Sequence, residues 1–229
     1  MNNRLQNFGI GMTSLRTRER LVERLTEQGI VDVRVLEAIR DIPRHIFVEE
    51  ALQSRAYEDL SLPIGNHQTI SQPLVVAKMT EALICKDKLN SKPLKRVLEI
   101  GAGCGYQTAI LSRFALKVKS YERIKPLYDR TKSILKKLNI KNVELIFGDC
   151  LSDLKEYEKF DGILSAAAAP EKIPDTLIKC LEIEGRLVLP VEHNKKQNLQ
   201  LLIKKTDTIF DINDLGEVFF VPLVRGIRE

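Results

Sequence analysis

Apolar positions recur at helical spacing through residues 14–28, where Leu15, Leu21, Val22 and Leu25 share one face among arginines and glutamates. Gly29 follows where a C-terminal cap would sit, so the pattern predicts an amphipathic surface helix. A second helix is expected over residues 32–40, ending before Pro43, and a third over Pro73–Leu83, opening on a proline suited to a first helical turn. From Arg96 the rhythm changes, and short apolar runs alternate with helical segments. Strands are expected over residues 96–100, 118–121, 143–147, 160–164 and 186–190, with helices near residues 108–114, 126–138 and 174–181. That alternation is βαβ grammar and predicts a mostly parallel sheet. Two last apolar runs, residues 199–203 and 218–224, are joined by a polar stretch containing Asp211, Asn213, Asp214 and Gly216, and are expected to pair antiparallel at one sheet edge.

Composition narrows the class without naming a chemistry. A chain of 229 residues, 44% hydrophobic and 29% charged, can bury one substantial α/β core. A helical and loop-rich layer over residues 14–90 is expected to sit on a core spanning residues 91–229. Lys and Arg outnumber Asp and Glu by 36 to 31, but the basic residues are interspersed with acids, which argues for a solvated surface and against a nucleic-acid footprint. Cys85, Cys104, Cys150 and Cys180 form no C-x-x-C pair and have no histidine at zinc-ligand spacing. Separate reduced thiols, no metal and a cytoplasmic location are therefore expected. The first ten residues lack an apolar signal core, and no stretch approaches the ~18 apolar residues that would span a bilayer.

Candidate chemistry concentrates at the ends of the predicted strands. The strand over residues 96–100 feeds Gly101-Ala102-Gly103-Cys104-Gly105 and then a helix, a sequence that supplies a tight turn and close backbone approach to a nucleotide-type ligand. A dinucleotide fingerprint would place its third glycine where Tyr106 stands, so the loop leans away from hydride-transfer cofactors. Glu122 follows Gly101 by about twenty residues at the next strand end, where a carboxylate can accept both ribose hydroxyls of either NAD or S-adenosylmethionine. Gly148-Asp149 stands at the third strand end, on the same carboxyl edge. Cys104 has no partnered histidine nearby, and its small side chain suits a crowded loop better than nucleophilic catalysis.

The segment Leu62-Pro63-Ile64-Gly65-Asn66-His67-Gln68-Thr69-Ile70-Ser71-Gln72-Pro73, followed by Met79-Thr80-Glu81, resembles the signature of the protein-L-isoaspartate O-methyltransferases. The likeness continues through Val97–Gly101, Gly105–Ala109, Glu122–Ile124, Ala167–Glu171, Leu187–Val191 and Phe220–Val224, in order over about residues 14–226. It implies a doubly wound, Rossmann-like fold. It also implies methyl transfer from S-adenosylmethionine to the free α-carboxyl of L-isoaspartyl residues in damaged proteins or peptides, by a monomeric enzyme with neither nucleic-acid nor membrane partners. By the same resemblance Ser71 is the active-site serine and Thr69 and Ile70 line the cofactor beside it. Glu122 and Asp149 hold ribose and adenine, and Glu99, Gly101, Ala102, Gly103, Gly105 and Gly148 complete the cofactor set. Ala168, Ala169 and Pro170 would border the peptide. Residues 1–13 are expected to be a flexible extension. The chain departs from the usual pattern at Cys104, where serine is common, and at Ile183-Glu184-Gly185-Arg186, where a Gly-Gly pair often stands.

A carboxylate with an ordinary pKa near ~4 is already ionised at neutral pH, so such an acceptor needs no general base, and the isolated His45, His67 and His193 need not be catalytic. Ser71 then orients the acceptor as a hydrogen-bond donor. Read from the residues alone, Ser71 could instead cap the helix that follows it. Two rival readings carry different chemistry: a methyltransferase acting on RNA or a small molecule, and an NAD-dependent oxidoreductase or nucleotide-binding module.

Overall fold

A computed structural model describes residues 11–84 and 94–229. Most of the expected extension, and Cys85, therefore lie outside the described residues; Gly11–Thr13 form a turn of 3₁₀ helix. The helices are α1 (Leu15–Glu27), α2 (Val33–Asp41), α3 (Pro73–Leu83), α4 (Tyr106–Leu111), α5 (Lys125–Lys137), α6 (Cys150–Asp153) and α7 (Asp175–Cys180). The strands are β1 (Leu62–Gly65), β2 (Gln68–Ile70), β3 (Leu94–Ile100), β4 (Ala115–Glu122), β5 (Val143–Phe147), β6 (Phe160–Ser165), β7 (Ala169–Pro170), β8 (Leu181–His193), β9 (Lys196–Lys204) and β10 (Phe210–Glu217).

The first helix ends as its glycine suggests. Gly29 takes φ +95°, and the Ile30 N–H reaches back to the Leu25 carbonyl at 3.0 Å, closing a Schellman motif. Its buried face differs from expectation by one position. Leu21 and Leu25 are enclosed, but Leu15 is 42% exposed and Arg18 is buried instead.

The described residues form one eight-stranded sheet in the order β10-β9-β8-β6-β3-β4-β5, with β7 on β8. Strands β5, β4, β3, β6 and β8 run parallel, and β9 and β10 complete the edge antiparallel. Alternating residues divide the core between the two faces. Val97, Val118, Leu164 and Val188 pack under α1–α5, while Leu98, Ile163, Leu187 and Leu189 pack under α6 and α7. The sheet is thus covered by helices on both sides, as a parallel sheet requires.

The expected C-terminal pairing is corrected. β9 pairs with β10, and residues 218–224 form no strand. The stretch read as a polar connection is itself an edge strand, largely exposed on both faces, so no apolar alternation marks it. The apolar residues 218–224 instead cross the carboxyl edge of the sheet, bridged to Ala168 at Pro222.

Candidate active site

From β3 the chain winds outward through β4 and β5 on one side, then returns to lay β6 on the other. The crevice at the carboxyl end of β3 is therefore the topological switch point, where open α/β sheets bind ligands. The glycine loop occupies it. Gly101 N and Ala102 N both donate to the Tyr121 carbonyl, at 2.9 and 3.0 Å, tying the loop to the end of β4. Gly105 has φ +88°, and a Cβ there would lie 2.7 Å from Thr131 Cγ2, so α5 packs against the loop only because that position is glycine. Thr131 Oγ1 donates to the Gly103 carbonyl at 2.8 Å.

Two carboxylates stand at neighbouring strand ends. Glu122 is 3% exposed; its Oε2 accepts the Gly103 N–H at 2.7 Å and its Oε1 the Ile124 N–H at 2.8 Å. Burial raises its pKa, and the amide bonds oppose that rise. Asp149 caps α6, accepting from Leu151 N at 3.1 Å, Ser152 Oγ at 2.8 Å and Gly226 N at 2.8 Å. Burial pushes its pKa up, but those hydrogen bonds outweigh it and hold the carboxyl below its usual range.

The opposite wall comes from the N-terminal layer. Asn66 and His67, with φ of 54° and 59°, form a two-residue turn with the backbone of a type I′ hairpin between β1 and β2. The hairpin aims Thr69, Ile70 and Ser71 at the glycine loop, with Ile64 packed 3.4 Å from where a Gly103 Cβ would be. Helix α3 has its N-cap at Gln72, with no side-chain hydrogen bond, so Ser71 lies one residue outside the helix and does not cap it. A third wall is the segment 218–224, held by Gln197, whose Oε1 accepts Phe220 N at 2.7 Å and whose Nε2 donates to Phe220 O at 3.0 Å.

The cleft between these walls measures about 460 Å³ and brings together Thr69, Ile70, Ser71, Gly101, Ala102, Gly103, Glu122, Gly148 and Asp149. Other expected site residues are placed elsewhere. Glu99 points into the protein beneath the loop, where its Oε2 accepts from Thr108 Oγ1 at 2.5 Å and Ser120 Oγ at 2.6 Å. Gly105 shapes the loop without lining the cavity. Ala168, Ala169 and Pro170 are taken up by pairing with Pro222 and β8, and Ala166 and Ala167 stand at the cavity in their place. Sequence reasoning missed Tyr106 and Gln107 of α4 and residues 217–224 as lining. Their signal was available only as a helix beginning directly after the loop and as an apolar run without a partner strand.

The sheet order, the loop at the switch point and the paired carboxylates define a Rossmann-like domain of the methyltransferase class. A family model described as protein-L-isoaspartate(D-aspartate) O-methyltransferase matches residues 16–228, and the chain belongs to that family. It is 50% identical over 222 residues to a protein-L-isoaspartate O-methyltransferase of Nitrosomonas europaea, covering 97% of each chain. Among solved structures, it resembles a candidate protein-L-isoaspartate O-methyltransferase of Plasmodium falciparum in complex with S-adenosyl-L-homocysteine. That match has a TM-score of 0.75 at 26% identity and covers 90% of this chain and 98% of the other. A second protein-L-isoaspartate O-methyltransferase aligns with TM-score 0.77 at 29% identity, over 90% of this chain and 65% of the other.

Proposed function

We propose that the chain transfers a methyl group from S-adenosylmethionine to the free α-carboxyl of an L-isoaspartyl residue in a damaged protein or peptide, whose ester then closes to a succinimide. The observation that carries this reading is the membership of the chain, over residues 16–228, in the family named for that reaction. The residues present suit the cofactor. Each oxygen of Glu122 accepts a single described hydrogen bond and keeps a lone pair for a ribose hydroxyl. Tyr106, where a dinucleotide site would have its third glycine, is buried, which argues against the oxidoreductase reading. Thr69, Ile70, Gly101–Gly103, Glu122, Gly148 and Asp149 would hold the cofactor, which supplies an electrophilic methyl on a sulfonium.

The acceptor carboxylate is ionised at neutral pH and needs no base, so the work of the protein is to position it and exclude water. Ser71 Oγ–H donates to one acceptor oxygen and aims the other; no covalent intermediate forms on the serine. Ile70, Val76 and Ile100 supply apolar wall around the reacting groups, and a dry site spares the anion solvation that it would lose on transfer. The reading includes a monomeric protein of the cytoplasm, consistent with three free cysteines, Cys104, Cys150 and Cys180, among the described residues. No described helix is long and apolar enough to cross a membrane.

Incubation with tritiated S-adenosylmethionine and an isoaspartyl peptide, its aspartyl counterpart or bulk RNA tests the function. Label is expected on the isoaspartyl peptide alone, and label confined to RNA overturns the reading. Ser71→Ala is expected to lower kcat/KM by roughly 10–100-fold with cofactor affinity unchanged. A folded, cofactor-binding variant with full turnover would remove Ser71 from the mechanism.

A further inference from the structure

Directly behind Ser71 lies a cation that makes no salt bridge among the described residues, the acid that acts on it being Asp59. Arg44 opens the 3₁₀ turn Arg44–Phe47 and is 0% exposed. Its Nε donates to the Ala56 carbonyl at 2.8 Å and its Nη2 to the Ser71 carbonyl at 2.7 Å. The guanidinium carbon stands 4.9 Å from the centre of the Tyr106 ring, and Nη1 has no partner among the described residues. No ion pair joins Arg44 to an acid among those residues.

A fully enclosed guanidinium without a carboxylate is costly, because two carbonyls and an aromatic face replace only part of its hydration. Burial lowers its pKa from the usual value, yet arginine stays charged at neutral pH. Two carbonyls could be held by a neutral amide, so the bonds alone do not account for a charge here. Its surroundings do. Ser71 and Tyr106, which the guanidinium touches, are both wall residues of the cleft. The cleft also carries the acids Glu122, Asp149 and Glu217, which would oppose an anionic acceptor; Arg123 lies beside Glu122 and gives its Nε to the Gly226 carbonyl.

We propose that Arg44 is a positioning residue with two effects: it fixes the Ser71 peptide from which the hydroxyl projects, and its charge, held without an ion pair among the described residues, makes the cleft prefer an anionic acceptor to a neutral one of the same shape. The first effect rests on the Ser71 reading above; the second does not. The interior has a low dielectric, so a charge one residue behind the wall is felt across it far more than a surface charge would be.

The test measures binding of an isoaspartyl peptide and of its neutral carboxamide counterpart to the S-adenosylhomocysteine-loaded protein, where no transfer occurs, together with kcat in the ordinary assay. The wild type is expected to favour the carboxylate by roughly tenfold or more. In Arg44→Gln that preference should fall to within about twofold while S-adenosylhomocysteine affinity is kept. A purely structural loss would weaken both peptides alike and leave the ratio intact, and an unchanged ratio in folded Arg44→Gln overturns the charge effect. If that variant does not fold, the wild type decides the point, because a native preference below about twofold leaves nothing for Arg44 to produce. Arg44→Lys retains the charge without the planar fork, so it should keep the ratio and lose kcat by about tenfold; wild-type kcat in that variant overturns the positioning effect. Full turnover in Ser71→Ala would remove the serine reading while leaving the ratio in Arg44→Gln as an independent result.

Discussion

Glu99 shows how one side chain can sit in a recognisable motif and still do something other than touch the ligand. It is fully enclosed, Thr108 and Ser120 satisfy one oxygen, and the other has no partner among the described residues. Burial chiefly, against those two hydroxyl bonds and with Glu122 adding repulsion, lifts its pKa to about 7. A carboxyl whose folded pKa exceeds its unfolded value binds protons more tightly in the native state, so its contribution is most favourable in acid and is lost as pH rises from about 4.5 to about 7. Glu99→Gln should therefore gain stability on the order of 3 kcal/mol relative to wild type at pH 8 but not at pH 4, less the cost of enclosing the amide hydrogens. Urea midpoints at the two pH values check it; an equal offset at both would refute it. At Gly105 the constraint is steric. Gly105→Ala should cost roughly 1–3 kcal/mol. Combining it with Thr131→Ser, which deletes the clashing methyl, should recover part of that loss, as thermal melts of the single and double variants would show. Arg18 and Leu15 mark a limit of reading residues by polarity. A helix face defined by hydrophobicity alone puts Leu15 inside and Arg18 outside, and the chain does the reverse, because a long side chain can bury its stem and bring its polar end to partners that the sequence does not reveal.

Helices and strands that face the core on a regular period were legible, and the crossing segment was not. The βαβ alternation gave β3 to β6 within a few residues of their ends, because their inward side chains set the period. β10 escaped since an edge strand exposed on both faces has no burial to record, and residues 218–224 imitated a strand because apolar side chains lining a cleft look like apolar side chains lining a core. Gln197 is what turns that segment into a wall, through its pair of bonds to Phe220. Gln197→Ala should speed amide exchange at Phe220 and raise KM for an isoaspartyl peptide by about tenfold, with S-adenosylhomocysteine affinity changed by less than about threefold. Exchange measured by mass spectrometry and steady-state kinetics would separate this from a general loss of stability, in which cofactor binding and α4 protection also fall.

Across the whole molecule, the fold gathers one pocket from a hairpin, four strand ends and a segment beyond the antiparallel edge. A ligand filling it ties these parts together. S-adenosylhomocysteine at a hundred times its Kd should raise the unfolding free energy by about 2.7 kcal/mol, visible as a higher Tm that depends on ligand concentration. Absence of any shift would mean that the native fold does not bind the ligand in preference to the unfolded chain. The two walls of the cleft, residues 62–71 and 218–224, are far apart in sequence and are expected to come together after the sheet strands that lie between them in the chain have paired. Closing such a long loop is entropically costly and slow compared with pairing neighbouring strands. During refolding, circular dichroism should therefore regain its native value before turnover does, and a partly assembled chain should display most of the architecture with none of the catalysis.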